Sequence, residues 1–529
     1  MICEVRATLN EKKQNHQART VGIMMLLTLL GKVLGLVRDM MLGRNFATGF
    51  EANAFLAASR IPRNFFDAIF ASAISASFIP VFNEYLENRG KEEAFRLSDA
   101  FLTVVALLTV VLSALGMLFA EPLTAFLADG FDAQTAKLCA ELLRLLFPTV
   151  FFTGVAFSFV GVLQSLGEFN IPALLSAVSN AVIILYYVLF CRQYGVVGLA
   201  VAFLIGWALQ ALIQVPFLHR FGYRYRPALR HEGMKKIFAL VLPVLVSTWV
   251  QPLNLTVATK YASRLNGGAA TSALEYANTL YTIVAGVFVL SVANVVFPEL
   301  SRISARNDAQ EFGRSISETL QTTLFFITPM AIGLAVMAKP IVRLLYEWGA
   351  WTSESTELTA GALTYLSLGI VGYGAQILLS RAYYAHQEGK TPLVAGIVSV
   401  LVNAALCALF SEQFGIRALA VAGAAGMIFP ALVMLFSLAK RYPVLLSWDE
   451  SILPFFKMLF SSLAMGAGAY WVSRICKGVL GDGIVGRAVD VLLPVAVGVV
   501  IYFVLTLLLR LPVMEQVKEL LHRKKGEEA

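Results

Sequence analysis

Apolar blocks about twenty residues long, separated by short polar stretches, recur along the chain from Val21 almost to Leu511. A helix rises about 1.5 Å per residue, so such a block crosses a hydrocarbon core of roughly 30 Å. The pattern predicts about fourteen spanning helices, starting near Val21, Ala54, Ala100, Leu142, Pro172, Val196, Ile237, Leu274, Leu320, Leu358, Pro392, Ala418, Leu453 and Ala488. No polar interval is long enough for a sizeable soluble domain. The first block follows a polar stretch and carries Lys32 and Arg38 inside its apolar run, with no small-residue cleavage site behind a short apolar core. It reads as a retained helix, not a removable signal.

The blocks repeat. Residues from Pro172 to Gly206 match those from Pro392 to Gly426 at a constant shift of 220 positions, without a gap. Glu168 pairs with Glu388, Pro172 with Pro392, Ser179 with Ser399, Gly195 with Gly415, Leu199-Ala200-Val201 with Leu419-Ala420-Val421, and Gly206 with Gly426. Apolar matches between membrane helices are common by chance, whereas paired Glu, Pro and Gly at one offset indicate duplication. Six spans separate the copies, and an even number of crossings keeps their orientation, so the repeat is parallel. Parallel halves relate by an axis along the membrane normal and place a substrate site between them. The expected fold is therefore an all-α polytopic membrane protein with two parallel six-helix lobes around a central cavity, plus two C-terminal helices. Its divisions are a tail over 1–20, an N-lobe over 21–220, a C-lobe over 221–445, the added pair over 446–511, and a tail over 512–529.

Composition agrees: the 529 residues are 58% hydrophobic and 14% charged, and the mean hydropathy is +0.72. Lys and Arg concentrate in the N-terminal tail (Arg6, Lys12, Lys13, Arg19), in one loop (Arg220, Arg224, Arg226, Arg230, Lys235, Lys236) and at the C-terminus (Arg523, Lys524, Lys525). Positive residues stay inside, so both termini are expected to be cytoplasmic in a plasma membrane. The weakly charged loops around Asp129, Glu347 to Glu357 and Asp482 then fall outside. The net charge of +8 reflects this topology, and because the basic residues are split among loops no nucleic-acid partner is expected. Five scattered cysteines and five histidines without ligand spacing imply neither a disulfide framework nor a metal site. Gly389-Lys390-Thr391 has Tyr384 where a phosphate-binding loop needs its first glycine, so no ATP hydrolysis and no enzyme activity are expected.

Charges inside spans are costly, by about 2.5 to 3.5 kcal/mol on insertion scales, and usually face a cavity or a partner. In the first span Gly31, Gly35, Arg38 and Leu42 share one helical stripe, with Lys32 and Asp39 on its neighbour. In the second, Asn53, Arg60, Arg63 and Asp67 recur at helical spacing opposite Phe55, Phe65 and Phe66. Guanidinium groups stay ionised and donate in pairs, so this polar wall suits a diphosphate or carboxylate. The competing reading is that Arg38 and Arg60 snorkel to an interface and that Asp39 and Asp67 only neutralise neighbouring cations. Lys260, Glu275 and Arg381 fall near span ends, where snorkelling is the favoured reading.

Gly31-Lys32-Val33-Leu34-Gly35-Leu36-Val37-Arg38-Asp39 resembles the first-helix signature of the MurJ (MviN) family. Ser77-Phe78-Ile79-Pro80 with Glu84-Tyr85, the outer string Tyr346-Glu347-Trp348-Gly349-Ala350-Trp351-Thr352, and Ser380-Arg381-Ala382-Tyr383-Tyr384-Ala385 running to Lys390-Thr391-Pro392 follow in that family's order. The resemblance covers roughly residues 20 to 510. It implies the fold of the multidrug/oligosaccharidyl-lipid/polysaccharide (MOP) exporter superfamily and a flippase for lipid II, the lipid-linked peptidoglycan precursor, acting by alternating access in cell-wall synthesis. It implies a cationic cavity for the headgroup and a groove for the polyprenyl tail at the last two helices. Membrane lipids and cell-wall synthesis enzymes are the further partners it suggests.

Carried over by position, the family's cavity arginine and aspartate fall on Arg38 and Asp39, a tenth-helix arginine on Arg381, and Lys32 stands where many members have arginine. The chain departs at Phe66-Asp67 and at Thr279, where some members carry arginine; Arg60, Arg63 or Lys260 are the candidates to compensate. A sodium site of the family reaches this chain only at Asn403, with Cys407 in place of its carboxylate. No cofactor is expected, and coupling to membrane potential or to a monovalent cation stays open. The alternatives are an exporter of another undecaprenyl-linked glycan, a drug or metabolite antiporter of the same superfamily, and a non-transporting scaffold, which would gain nothing from charged stripes.

Overall fold

The computed structural model describes residues 2–306, 308–476, 481 and 483–514. Asp482, Arg523, Lys524 and Lys525 lie outside the described residues, as do the side chains of residues 2–21 and of Phe65. Among the described residues there is helix and no strand. The long elements are α1 (Ile2–Phe46), α2 (Phe50–Asn88), α3 (Lys91–Leu118), α4 (Ala133–Ser165), α5 (Asn170–Leu189), α6 (Cys191–Arg220), α7 (Met234–Thr248) and α8 (Val250–Ser263). They continue with α9 (Ala269–Ala305), α10 (Ala309–Val336), α11 (Ser353–Ala385), α12 (Lys390–Phe414), α13 (Ile416–Ala439), α14 (Trp448–Cys476) and α15 (Ile484–Leu508). Among the described residues 11 of these helices, α2 to α6 and α10 to α15, are long and apolar enough to cross a membrane. The expected spans at Val21, Ile237 and Leu274 fall on α1, α7 and α9.

Local chemistry sets the helix starts. Asp132 accepts from the Gln134 N–H at 3.2 Å ahead of α4, Asp308 from Glu311 at 2.9 Å ahead of α10, and Thr352 from Ser355 at 3.1 Å ahead of α11. α2 is not uniform: Arg60–Phe65, which contains Pro62, and Ile74–Phe78 are π turns. Each π turn adds a residue to the helical repeat and re-aims the side chains beyond it.

The chain forms two compact units, Met1–Pro252 and Leu253–Ala529. In the first, α1 lies along α5, α5 along α6, and α3 along α4. α7, which the sequence places in the second lobe, packs on α2 of this unit, and Lys236 pairs with Glu84. In the second unit α11 packs on α9 and α13, α12 on α13, and α14 on both α10 and α15.

The duplication is visible in backbone detail within each unit. Gly195 (φ 53, ψ −145), at a kink near the start of α6, and its counterpart Gly415 (φ 61, ψ −141), between α12 and α13, hold the same positive-φ conformation, which a side chain disfavours. Glu168 N–H donates to Leu163 C=O at 2.9 Å and Glu388 N–H to Tyr383 C=O at 3.0 Å, the same helix-ending turn at the same offset.

The second unit depends on close helix approach at Gly372, where an added Cβ would stand 2.6 Å from the Ile428 Cα and 2.7 Å from its nitrogen. Gly372→Val is expected to cost about 1–3 kcal/mol by overpacking, read as a lower melting temperature of the purified protein. Gly361→Ala, with nothing within 4 Å, is expected to leave that temperature unchanged or raise it.

Candidate functional site

The cationic site lies inside the first unit, where α1, α2, α5 and α6 converge. Arg38 projects from α1 and its side chain is 11% exposed. Its Nε donates to Asp39 Oδ1 at 2.9 Å, Nη2 lies 2.8 Å from the same oxygen, and Nη1 donates to Asn180 Oδ1 on α5 at 2.9 Å. Asn180 is itself held, because its amide nitrogen donates to Gly31 C=O at 3.1 Å. The amide therefore ties the α1 backbone to the α1 guanidinium, and glycine at 31 and 35 lets α5 come close enough to do so.

Phe203 on α6 completes the arrangement. The Arg38 guanidinium carbon lies 5.6 Å from its ring centroid, and the Arg63 guanidinium carbon also lies 5.6 Å from it. Two cations thus share one ring, held by Phe55 at 5.0 Å and by the stacked indole of Trp207 at 5.6 Å. The ring's negative face lowers the cost of holding them close, by about 0.5–2 kcal/mol each. Asp67 closes the site: its Oδ1 accepts from Thr153 Oγ1 at 3.1 Å and from Trp207 Nε1 at 3.4 Å.

Arg38, Arg63, Asp67, Asn180, Trp207 and Gln210 line a common cavity of about 470 Å³, which Gln164, Ser176 and Ser179 extend. Gln210 donates to Ser179 at 2.8 Å. The arrangement offers two guanidinium groups and several neutral polar groups to an anionic, polyhydroxylated guest, within the volume range of small-molecule sites.

The other sequence candidates are placed differently. Lys32 is exposed and stands outside the cavity lining. Asn53 is 1% exposed and spends its amide on Thr48 C=O at 3.1 Å, and Arg60 is 4% exposed. Both precede or open the first π turn, which turns the spacing of Asn53 and Arg60 away from that of Arg63 and Asp67. Lys260, on α8, and Arg381, on α11, belong to the second unit and are half-buried there. Asn403 donates to the Asn254 C=O and Oδ1, both at 3.1 Å, and accepts from the Cys407 thiol at 3.5 Å. Among the described residues no group of three His, Cys, Asp or Glu side chains could hold a metal ion.

Sequence reading missed Asn180, Phe203, Trp207 and Gln210, and the repeat held the signal. At the shift of 220 positions their counterparts are Val400, Gly423, Met427 and Pro430. The duplicated framework is kept while every one of these polar or aromatic groups is lost, so the cation-holding set belongs to the first copy alone. The second unit has a different feature, an apolar groove of about 310 Å³ formed by Phe326, Met330, Met465, Gly498 and Tyr502 on α10, α14 and α15.

A family described as lipid II flippase MurJ matches residues 42–489 of the chain. The probable lipid II flippase MurJ of Haemophilus influenzae is 30% identical over 472 residues, spanning 85% of this chain and 91% of that one. The lipid II flippase MurJ of Burkholderia cenocepacia is 28% identical, spanning 78% and 82%. Among solved structures, one described as lipid II flippase MurJ in an inward closed conformation superposes with a TM-score of 0.77 at 27% identity, covering 92% of this chain and 98% of that one. An inward-facing MATE family transporter of the MOP superfamily reaches 0.64 at 15% identity over 80% and 98%, a likeness of fold alone.

Asn180→Val, the residue of the second copy, removes the acceptor that orients Arg38. A hydrogen bond to a charged group contributes about 1.5–3 kcal/mol, so pyrophosphate titrated into the purified variant by calorimetry is expected to bind at least about tenfold more weakly. Unchanged affinity would show that Arg38 needs no such support.

Proposed function

The chain belongs to the MurJ family of lipid II flippases, in the MOP exporter superfamily, and we propose that it carries lipid II from the inner to the outer leaflet of the plasma membrane by alternating access. The single observation that carries this reading is the pair Arg38 and Arg63, each guanidinium carbon 5.6 Å from the Phe203 ring centroid, lining one polar cavity. A diphosphate is the substrate group that two converging guanidinium groups recognise, and the amide and hydroxyl groups beside them suit sugar and peptide.

In this reading Arg63 supplies the charge that family members place elsewhere on the second helix, and Asp67 holds the indole of Trp207 in place. The polyprenyl tail stays in lipid and follows the apolar groove of α10, α14 and α15, whose lining is almost wholly hydrocarbon and thioether. No bond is made or broken. Both termini face the cytoplasm, as the basic loops require. The direction comes from the membrane potential or a monovalent cation, the potential being worth about 2.3 kcal/mol per charge per 100 mV. The replacement of arginine at Phe66-Asp67 and Thr279 favours, as a second reading, export of another undecaprenyl-linked glycan.

The decisive experiment expresses the chain in bacteria depleted of their own lipid II flippase and measures lipid II accessible at the outer face. Restored exposure with the wild type, lost in Arg38→Ala and reduced at least tenfold in Arg63→Ala, is expected. Restoration undiminished in Arg63→Ala removes that residue from the site. No restoration by protein shown to be folded in the membrane transfers the assignment to the other lipid-linked glycan. In proteoliposomes loaded with lipid II, clamping the potential at zero in sodium-free buffer is expected to slow flipping if the potential drives it, whereas a rate that responds only to sodium assigns the coupling to the cation.

A further inference from the structure

The loop between α6 and α7 carries more structure than a connection needs. Residues 221–233 have no helix or strand, yet they are strapped down along α3 and the end of α2. Tyr223 is 2% exposed, its hydroxyl accepts from Ser98 at 3.3 Å, and its ring meets Phe95 edge-on at 5.1 Å. Thr103 Oγ1 shares a hydrogen bond with the Tyr225 hydroxyl at 2.9 Å and accepts from the Ala228 N–H at 3.2 Å. His231 Nδ1 accepts from the Gly233 N–H at 3.1 Å, which makes Nε2 the protonated nitrogen that donates to Glu93 at 3.1 Å. Ion pairs Arg89–Glu232 and Lys236–Glu84 close the far end.

These contacts engage four of the nearby acids, while Glu87 and Glu92 stay exposed. Glu84 and Glu232 are ion-paired at the surface, Glu93 is paired with the buried His231, and Asp99 lies beside Tyr223 and Arg226. Arg220, Arg224, Arg230 and Lys235 are exposed and have no ion-pair partner among the described residues. Between them Leu229 is 63% exposed and Tyr225 44% exposed. The strap joins the end of one spanning helix to the start of the next apolar helix, so it lies at a membrane–water interface. Cations at that depth attract anionic headgroups while the leucine and tyrosine side chains enter the acyl boundary.

Orienting a membrane protein requires only that basic residues be present in a loop, not that the loop be immobilised. The corresponding linker after the second copy shows the difference: Arg441 is paired with Glu388 at 2.8 Å, and Asp449 and Glu450 follow. We propose that the Tyr223–His231 strap is a binding site for anionic phospholipid headgroups of the adjacent leaflet, held rigid so that Arg220, Arg224 and Arg230 meet phosphate together. The site is separate from the cavity of Arg38 and does not depend on what the protein transports.

The test is native mass spectrometry of the full chain in detergent, titrated with dioleoyl-phosphatidylglycerol or dioleoyl-phosphatidylcholine, in an Arg38→Ala, Arg63→Ala background so that headgroups entering the cavity do not contribute. At least fivefold preference for phosphatidylglycerol is expected, lost in R220Q/R224Q/R230Q and kept in R220K/R224K/R230K, which separates charge from folding. The control R144Q/R314Q/K339Q, three exposed cations elsewhere, is expected to stay within twofold of its parent. No preference in the parent, an equal loss in the control, or full retention in the glutamine triple overturns the proposal, the last leaving the basic face to an acidic soluble protein.

Discussion

A guanidinium group placed among apolar helices must have its charge paired and its donors met by groups held in place. That constraint organises the first unit. Arg38 is satisfied by one carboxylate, one amide and one aromatic ring while still lining the cavity. A second carboxylate in place of Asn180 would give the Arg38–Asp39 pair a net negative charge; an apolar residue would leave a donor without an acceptor. Asn180 also grips the Gly31 carbonyl, so the cation's orientation and the packing of α1 on α5 are one interaction. The sharing of Phe203 by Arg38 and Arg63 extends the same logic, since the ring's π electrons attract each of two cations that repel each other.

The two copies of the repeat have divided the work. The framework survives in both, down to the Gly195 and Gly415 backbone angles and the turns at Glu168 and Glu388. The chemistry does not: the second copy has valine, glycine, methionine and proline at the positions where the first has its amides and aromatic rings. In the second unit Asn254, Ser399, Asn403 and Cys407 spend their polar groups on one another. Its accessible groove is apolar and formed with the two helices outside the repeat. The polar cavity and the apolar groove lie in different units.

The interfacial strap follows the same economy of charge. Acidic groups are used where they hold the backbone, at Glu84, Glu93 and Glu232, and cations are left over where they face outward. Arg38 is thus partnered and buried in the cavity, whereas Arg220, Arg224 and Arg230 are exposed without an ion pair among the described residues.

Much of this was legible in one dimension, because a bilayer makes simple demands. Long apolar blocks, the offset of 220 positions, the basic loops and the first-helix string carried the all-helical membrane fold, the duplication, the family resemblance and the choice of Arg38 with Asp39. Stripe reasoning worked where the helix is regular and failed where it is not: the π turn at Arg60–Phe65 brings Arg63 and Asp67 to the cavity and leaves Asn53 and Arg60 buried elsewhere. Only the tertiary structure decided that Asn180, Phe203 and Trp207 belong to the site, since their partners are 142, 140 and more positions away in the chain. Periodicity reports which face of a helix is polar, and it is silent on which other helix that face will meet.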